Sequence, residues 1–292
     1  MAKRERALVV GGTGQIGAQI IRCLGNDLCV CASRSSIGAG TVQVDLGGLS
    51  ARDARRLIGV VKPTVVYCVG GMNDVERCET EPELAMRVNC DGPAQLARAA
   101  AENDIPFVHF SSDYIFDGES GPYREDDRPN PINVYGRSKW AGETAVCNSH
   151  PSPIIVRTTV VYGPDPGEKN FLYTLRRVLN ACGTIRVATD QISTPSYNRD
   201  IALNTIALVN AGSSGIFHMC GFERLSRLEF AERAVCLMGI NHREGIVGVP
   251  TQELGQKARR PLSAGLVSDK LKTVQGLSMR SIEDSIRDWM SE

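Results

Sequence analysis

No charge of either sign dominates this chain of 292 residues, because 33 Lys and Arg side chains balance 33 Asp and Glu side chains. Proteins that bind nucleic acid or anionic membranes through their overall charge carry an excess of basic residues. The balance therefore predicts neither a nucleic-acid partner nor a membrane partner. The remaining composition, with 42% hydrophobic and 23% charged residues, is ordinary for a soluble globular protein.

Long apolar runs are also missing, and no stretch approaches the ~20 residues that a membrane-spanning helix requires. The charged segment Met1–Arg6 superficially resembles the start of a signal peptide. The apolar run that follows, Ala7–Val10, is too short for one and ends in glycines. We interpret this run as a first β-strand and expect a soluble, cytoplasmic protein.

The ten cysteines include no Cys-x-x-Cys pair and are scattered along the chain. Cys29 and Cys31 alternate along a predicted strand, which puts both side chains on one face. Such a distribution is typical of reduced, mostly buried thiols in a cytosolic protein. We therefore predict neither a metal site nor a disulfide framework.

The first half of the chain alternates short apolar segments with amphipathic ones. Parallel strands need a crossover between them, so this alternation predicts an α/β protein with a doubly wound parallel sheet of the Rossmann type. The predicted strands are Ala7–Val10, Leu28–Ala32, Thr41–Val44, Thr64–Val69, Phe107–Ser111 and Ile154–Arg157. The clearest helices are Gln15–Leu24, Glu83–Ala101 and Val134–Asn148.

The alternation weakens after about Arg157, where we predict a smaller C-terminal α/β domain. Ser226 and Glu229 have the spacing of a capping box at the start of one of its helices. The predicted elements are helices at Asn170–Cys182, Arg199–Asn210 and Ser226–Leu237, a strand at Gly215–Met219, and short helices near Asp269 and over Ser281–Met290.

A glycine-rich loop follows the first strand and opens a helix. A dinucleotide site needs a tight turn, a close approach of the backbone to the pyrophosphate, and a helix amino terminus aimed at that anion. Glycines permit the turn and the close approach. The alternative, a plain strand–helix turn, does not need all three glycines. The pattern predicts a dinucleotide site that includes Gly11, Thr13, Gly14, Gln15, Ile16 and Gly17.

The end of the second strand indicates which dinucleotide binds. An Asp or Glu there would accept the ribose 2′-hydroxyl of NAD. The chain instead has Ser33, Arg34 and Ser35, which suit a 2′-phosphate and favour NADP(H), with NAD(H) as the alternative. Arg34 as a solvated loop cation is the competing interpretation. Asp45 and Leu46, after the third strand, are placed to frame the adenine.

These patterns divide the chain into two predicted domains. Residues 1–157 form an NADP(H)-binding Rossmann domain. Residues 158–292 form mainly a substrate-binding domain, with segments at about 190–220 returning to the first domain.

Tyr135 and Lys139 are four residues apart and lie on one face of a predicted helix. A cation beside a phenol favours the phenolate, so we expect the pKa of Tyr135 to fall below its usual value of ~10. The pair alone is weak evidence. It gains weight from the glycine loop and from Ser112, at the end of an apolar strand. Asn89, a polar residue in an otherwise apolar helix, is predicted to lie near the lysine.

Taken together, Gly11–Gly17, Asn89, Ser112, Tyr135 and Lys139 resemble the extended short-chain dehydrogenase/reductases. The run Ser111–Gly118, followed by Pro122–Glu125 and Tyr135–Lys139, more closely resembles the dTDP-4-dehydrorhamnose reductase family. Further likeness at Arg157-Thr158, Asp190-Gln191, Arg260-Pro261 and Asp269–Leu271 extends it over nearly the whole chain.

The resemblance implies reduction of a ketone, with hydride from NADPH and a proton from Tyr135. Lys139 would hold the nicotinamide ribose and Ser112 would hydrogen-bond the carbonyl oxygen. Val69, Gly70 and Asn89 would complete the cofactor site. A sugar-nucleotide 4,6-dehydratase would carry Glu where Tyr114 stands, so simple reduction fits better than dehydration.

Substrate contacts are implied for Asp113, Tyr114, Val160 and Arg260. Val160 replaces the tryptophan that is usual in the rhamnose-pathway enzymes, which changes the shape of the sugar pocket. Arg176, Arg177, Arg259 and Arg260 offer charge for a substrate diphosphate, although a solvated-surface interpretation suits Arg176 and Arg177 equally.

The preferred substrate is the 4-keto group of a 6-deoxy sugar nucleotide. One alternative is another ketone, such as a specialised metabolite. A second is a non-catalytic NADP-binding subunit, since the same motifs resemble the regulatory β subunit of methionine adenosyltransferase. A homodimer is compatible with all three.

Overall fold

The apolar segments of the first half form a parallel sheet, as their alternation with helices predicts. The structure is a computed structural model that describes residues 6–34 and 41–291. Within these residues the main sheet has seven strands, in the order β11-β6-β5-β4-β1-β2-β3. They are β1 (Ala7–Val10), β2 (Cys29–Ser33), β3 (Thr41–Gln43), β4 (Val65–Cys68), β5 (Phe107–Ser112), β6 (Ile154–Thr158) and, after four short strands, β11 (Gly215–His218).

Helices cover both faces of this sheet, which confirms the doubly wound α/β fold. Helices α2 and α5 pack on one face of the sheet. Helices α1 and α8 pack on the opposite face and contact each other. The helices of this part are α1 (Gln15–Leu24), α2 (Ala51–Val61), α3 (Val75–Thr80), α4 (Pro82–Met86), α5 (Gly92–Ala101), α6 (Val134–Ser149) and, later in the chain, α8 (Asn198–Asn210).

The second half adds a smaller cluster with its own core around Tyr162, Leu172 and Phe230. Three two-stranded pairings belong to it: β7 with β10, β8 with β13 and β9 with β12. These strands are β7 (Val161–Tyr162), β8 (Ile185–Ala188), β9 (Ile192–Ser193), β10 (Ser196–Tyr197), β12 (Leu225–Ser226) and β13 (Ile246–Val249). Its helices are α7 (Phe171–Asn180), α9 (Arg227–Leu237) and α11 (Ile282–Met290). Helix α10 (Asp269–Lys272) instead contacts β11 of the main sheet.

One predicted helix differs from the structure. The segment predicted as a single helix over Glu83–Ala101 is interrupted by a π-helical turn at Arg87–Asp91. Pro93 has no N–H group and cannot donate to the carbonyl of Asn89, so the regular hydrogen-bond pattern fails at this turn. Gly92 instead donates to the carbonyl of Arg87. Such a turn is common at functional sites, and this one carries Asn89.

Smaller differences concern the ends of elements. The second strand begins at Cys29 rather than Leu28, because Leu28 closes a 3-10 turn over Asn26–Leu28. The capping box at Ser226 and Glu229 is present, with each side chain accepting from the backbone N–H of the other residue. No helix in the described part of the chain is long and apolar enough to cross a membrane.

Candidate active site

The glycine loop brings the start of α1 close to the strand that precedes it. A Cβ atom on Gly17 would lie 2.3 Å from the carbonyl oxygen of Gly11, so only glycine permits this approach. Gly14 caps α1 without a side-chain hydrogen bond, and the first turn contains no acidic residue. The backbone N–H groups of that turn can therefore receive an anion. The loop fits the pyrophosphate of a dinucleotide.

Three strand ends meet at this loop. The N–H groups of Val69 and Gly70 donate to the carbonyl of Val10 at 2.9 and 2.8 Å. Leu46 packs close to Gly70, and Asp45 accepts a hydrogen bond from the N–H of Gly47 at 3.1 Å. The structure thus brings together residues that the sequence predicted from separate strands. Thr13 is exposed at the loop and Ile16 is buried beneath it.

Two of the predicted 2′-phosphate residues, Ser33 and Arg34, lie at the end of β2. Ser33 is buried and Arg34 is exposed. Ser35 lies outside the described residues. Gln15 accepts a hydrogen bond from Asn170 at 3.3 Å, which ties the cofactor loop to the second half of the chain.

Helix α6 carries Tyr135 and Lys139, and its start is fixed by its neighbours. Asn133 caps the helix by accepting from the N–H of Gly136 at 2.8 Å, while its amide donates to the carbonyl of Arg259 at 2.8 Å. Farther along α6, a Cβ atom on Gly142 would lie 2.1 Å from the carbonyl oxygen of Asn89. The glycine lets α6 pack directly on the π-helical turn.

Asn89 is fully buried and holds the segment that follows β4 next to α6. Its Oδ1 atom accepts from the N–H of Met72 at 2.7 Å, and its Nδ2 atom donates to the carbonyl of Met72 and to the hydroxyl of Ser138. The lysine lies beside the same segment, since its Nζ atom would be 3.8 Å from a Cβ atom on Gly71. The expected proximity of Asn89 and Lys139 is therefore present.

The Lys139 ammonium is almost completely buried and donates to the carbonyl of Phe110 on β5. Burial lowers the pKa of Lys139 to about 8, and the nearby Cys68 and Glu143 act in the opposite direction. At pH 7 the group is still mostly protonated. It can therefore serve as a buried positive charge one helical turn along α6 from Tyr135.

The predicted lowering of the Tyr135 pKa is wrong for this geometry. Burial raises the pKa of the phenol, which outweighs the hydrogen bond with Ser112 that favours the phenolate. The charge of Asp113 raises it further. Desolvation dominates, and Tyr114 and Cys78 add to the rise, whereas Lys139 is not among the groups that shift this pKa. Tyr135 is consequently protonated at neutral pH.

Ser112 and Asp113 follow each other at the carboxyl end of β5. The hydroxyl of Ser112 donates to Oδ1 of Asp113 at 3.1 Å, and the hydroxyl of Thr159 donates to Oδ2. Thr159 was not identified from the sequence. The only signal for it was its position directly after Arg157-Thr158.

Two arginines lie around Tyr114, whose ring meets that of Tyr135 edge-on at 5.4 Å. Arg260 donates to the hydroxyl of Tyr114 at 3.3 Å and forms an ion pair with Glu76 at 2.7 Å. Arg227 stacks on the ring of Phe171, with its guanidinium carbon 4.8 Å from the ring centre. Neither Arg227 nor Glu76 was predicted from the sequence.

Arg227 is a desolvated cation that lies near Tyr114 and Asp113. Burial lowers the pKa of its guanidinium, and the neighbouring Tyr114 and Asp113 act in the opposite direction. Among the residues that the structure describes, no carboxylate forms an ion pair with it. A desolvated guanidinium that forms no close ion pair is typical of an anion-binding site.

The remaining predicted substrate residues are Val160 and the arginines Arg176, Arg177 and Arg259. Val160 has a φ of 40°, a strained conformation for a β-branched residue, at the link between β6 and β7. Arg177 and Arg259 are exposed, and Arg176 stacks on Tyr173 at 4.8 Å. No group of three His, Cys, Asp or Glu residues in positions 6–34 and 41–291 could hold a metal ion.

The parallel sheet, the glycine loop and the Ser112, Tyr135 and Lys139 side chains together define an extended short-chain dehydrogenase/reductase. Residues 5–292 match the family described as "RmlD substrate binding domain". A dTDP-4-dehydrorhamnose reductase of Sinorhizobium fredii is 33% identical over 97% of this chain and 95% of that protein. A probable low-salt glycan biosynthesis reductase of Haloferax volcanii is 31% identical over 96% of this chain and 95% of that protein.

Solved structures agree with these relatives. The crystal structure of a dTDP-4-dehydrorhamnose reductase from Bacillus anthracis, in complex with NADP, has a TM-score of 0.88 and 26% identity, with 99% of each chain covered. The chain belongs to the dTDP-4-dehydrorhamnose reductase family.

Proposed function

We propose that this protein is an NADPH-dependent reductase of the 4-keto group of a 6-deoxy sugar nucleotide. The observation that carries the proposal is the convergence of Ser112, Tyr135 and Lys139 beside a glycine loop suited to a pyrophosphate. The relatives support the substrate class, since they include dTDP-4-dehydrorhamnose and dTDP-4-keto-6-deoxy-D-glucose reductases.

The cofactor residues fit NADP(H), with NAD(H) as a weaker ligand. The turn over Gly11–Gly17 would receive the pyrophosphate, Arg34 the 2′-phosphate, and Asp45 and Leu46 the adenine end. Val69, Gly70, Asn89 and Lys139 would border the nicotinamide end. When bound, NADPH supplies the hydride.

The protein's own contribution is to hold and move a proton at the ketone oxygen. Because burial keeps Tyr135 protonated, its phenol can donate to the oxygen as negative charge develops there. The buried ammonium of Lys139 then stabilises the phenolate that remains. Ser112 would orient the carbonyl. Asn89 holds the Met72 backbone and Ser138 in place and so fixes the setting of the lysine.

The substrate's diphosphate would lie between Arg227 and Arg260. Both guanidinium groups flank Tyr114, and Arg227 forms no close ion pair among the described residues. Tyr114 and Val160 would contact the sugar. Since Val160 is smaller than an aromatic residue, it leaves room for a sugar that differs from the rhamnose precursor.

We further propose that residues 1–157 bind the cofactor and that most of 158–292 binds the substrate, with about 190–220 returning to the first domain. In support, β11 pairs with β6 in the main sheet and α8 packs on α1. A cytoplasmic location, in which the ten free cysteines would stay reduced, is also proposed. A homodimer and the absence of a nucleic-acid partner stay predictions.

The test is NADPH oxidation by the purified protein with dTDP-4-keto-6-deoxyglucose and with a panel of small ketones. We expect turnover of the nucleotide sugar, and a loss of roughly 10²–10⁴ in kcat for Tyr135→Phe with the Kd for NADPH unchanged. Tyr173→Phe, which removes a phenol from α7, is the matched control and should retain activity.

Arg227→Gln tests the diphosphate site. It should raise KM for the nucleotide sugar and leave the Kd for NADPH unchanged.

In the wild-type assay, activity on small ketones alone would favour the alternative reductase. Stoichiometric NADP binding without any turnover would favour a regulatory subunit.

A further inference from the structure

Two asparagines from the second half of the chain hold the first residue of helix α1, directly after the glycine loop. The amide of Asn170 donates to Oε1 of Gln15 at 3.3 Å and to the carbonyl of Gly163 at 2.8 Å. The amide of Asn198 donates to the carbonyl of Gln15 at 3.4 Å and to the carbonyl of Pro164 at 2.6 Å. Each amide thus bridges Gln15 to the turn that follows β7. We call Gln15, Asn170 and Asn198 the amide clamp.

The clamp lies in the interior of the protein. Asn170 is 8% exposed and Asn198 is completely buried. Gly163 has a φ of 121°, and a Cβ atom on it would lie 2.2 Å from Oδ1 of Asn198, so only glycine fits this turn. The start of the cofactor helix is therefore fastened to the second half of the chain through packed, buried groups.

Asn170 also caps helix α7. Its Oδ1 atom accepts from the N–H groups of Leu172 at 3.2 Å and Tyr173 at 3.4 Å. A side-chain amide has two N–H donors and two acceptor lone pairs, and this one uses all of them. Serine or aspartate would cap the helix equally well, but neither has two N–H donors. The clamp, and not the cap, therefore requires asparagine here.

Helix α7 connects the clamp to a cation of the proposed substrate site. Phe171 follows Asn170 directly, and its ring stacks on the guanidinium of Arg227, whose central carbon lies 4.8 Å from the ring centre. Arg227 is the first residue of α9 and is proposed above to receive the substrate diphosphate. The start of α7, which the clamp fixes, thus supports Arg227.

The other end of the clamp responds to the cofactor. Gly14 caps α1 without a side-chain hydrogen bond, so the first turn of this helix has no capping side chain. An anion that accepts from the N–H groups of the turn supplies the missing cap and stabilises the turn. Gln15 belongs to this turn, so its position becomes better fixed when the pyrophosphate binds.

We propose, on the basis of the reductase function proposed above, that the amide clamp couples the two binding sites. A dinucleotide on the glycine loop orders the first turn of α1, the clamp passes this order to the start of α7, and Phe171 then holds Arg227 for the substrate diphosphate. A ligand that orders a shared element lowers the ordering cost for the next ligand. The coupling is reciprocal, since linkage requires each ligand to strengthen the other by the same factor.

The experiment measures the Kd of NADP⁺ by isothermal titration calorimetry on the full chain, with and without saturating dTDP. The probe dTDP carries the diphosphate of the substrate but no sugar, so no reaction takes place. We expect dTDP to lower the Kd of NADP⁺ by about fivefold or more. Competition of dTDP for the glycine loop itself would have the opposite sign and would raise this Kd.

Two variants break the clamp at its ends. Gln15→Met removes the side-chain acceptor, and Asn170→Ser removes the amide donors while keeping a capping residue on α7. In both variants the ratio of the two Kd values should approach one. The double variant should lose no more coupling than either single variant, because both changes break the same hydrogen bond.

The ratio separates coupling from a merely structural effect. Both Kd values come from one protein, so a general loss of affinity or stability does not change their ratio. Asn103→Ser is the matched control, because it removes an exposed amide that donates only to the carbonyl of Ala99 among the described contacts. It should keep the wild-type ratio.

The inference and the proposed function fail in different ways. A wild-type ratio near one overturns the coupling, and so does a wild-type ratio that persists in both Gln15→Met and Asn170→Ser. Turnover of the nucleotide sugar would leave the reductase function intact in either case. If dTDP does not bind at all, the coupling is wrong. The reductase function is then wrong as well only if the protein reduces no nucleotide sugar.

Discussion

The guanidinium of Arg157 and the carboxylate of Glu143 form a buried ion pair, with Nη2 2.7 Å from Oε2 and Nε 3.0 Å from Oε1. Glu143 lies four residues after Lys139, one turn along α6. Arg157 also donates to the carbonyl of Glu125, in the loop between β5 and α6, at 3.1 Å. The pair therefore connects the lysine helix, the neighbouring strand and this loop.

We predict that breaking this pair destabilises the fold strongly. Arg157→Met leaves the carboxylate of Glu143 buried without a partner, which typically costs ~3–5 kcal/mol in the free energy of unfolding. The double variant Arg157→Met/Glu143→Leu should lose less, because no buried charge is left. Urea denaturation measures all three proteins.

The control is Arg55→Ala, which removes an exposed pair with Glu102 whose side chains are 55% and 39% accessible. It should cost less than about 1 kcal/mol. Equal losses for Arg55→Ala and Arg157→Met would contradict the burial argument.

The cofactor loop gives a second prediction. Gly17→Ala forces a Cβ atom against the Gly11 carbonyl at 2.3 Å, so the loop must move and NADPH binding should weaken by at least ~10-fold. Gly59→Ala, in α2, meets no atom within 4 Å and should stabilise the protein by roughly 0.5–1 kcal/mol through helix propensity. Fluorescence titration with NADPH and thermal unfolding separate the two effects. Normal NADPH affinity in Gly17→Ala would show that the loop is not the pyrophosphate site.

The cofactor preference depends on Arg34. Charge-assisted hydrogen bonds to a phosphate are worth ~1.5–3 kcal/mol, so Arg34→Ala should weaken NADPH by about 10–100-fold and NADH very little. Arg56→Ala, which removes an exposed arginine of α2, should change neither affinity. Equal losses of affinity for both dinucleotides would contradict the proposed contact between Arg34 and the 2′-phosphate.

We expect the free energy of unfolding to depend on pH because the pKa of Lys139 differs between the folded and unfolded states. Its pKa is about 8 in the fold and close to ~10.4 in the unfolded chain, so the unfolded state binds more protons between these values. The contribution of Lys139 to stability therefore rises as pH increases from 8 to 10. The difference in unfolding free energy between wild type and Lys139→Met, measured across this range, isolates the effect. A flat difference would mean that the lysine is solvated in the native state.

Much of the architecture follows from local pattern. The first strand at Ala7–Val10 and the first helix at Gln15–Leu24 lie where the sequence predicted them, because apolar runs and glycine turns act locally. The start of α6 at Val134 was also predicted. The π-helical turn at Asn89 was not, since its cause is a proline four residues later that has no N–H group to complete the helix.

The candidate site likewise has some features that the sequence predicts and others that depend on tertiary contacts. The sequence by itself determined the kinds of groups present, namely a phosphate loop, a phenol, a lysine and a serine at fixed spacings, and these pointed to the family. Only the tertiary structure decided the state of those groups. The protonated Tyr135, the buried Asp113 and the desolvated Arg227 owe their properties to desolvation and to neighbours distant in the chain. No spacing along a single segment encodes how much water a side chain loses when the sheet and helices close around it.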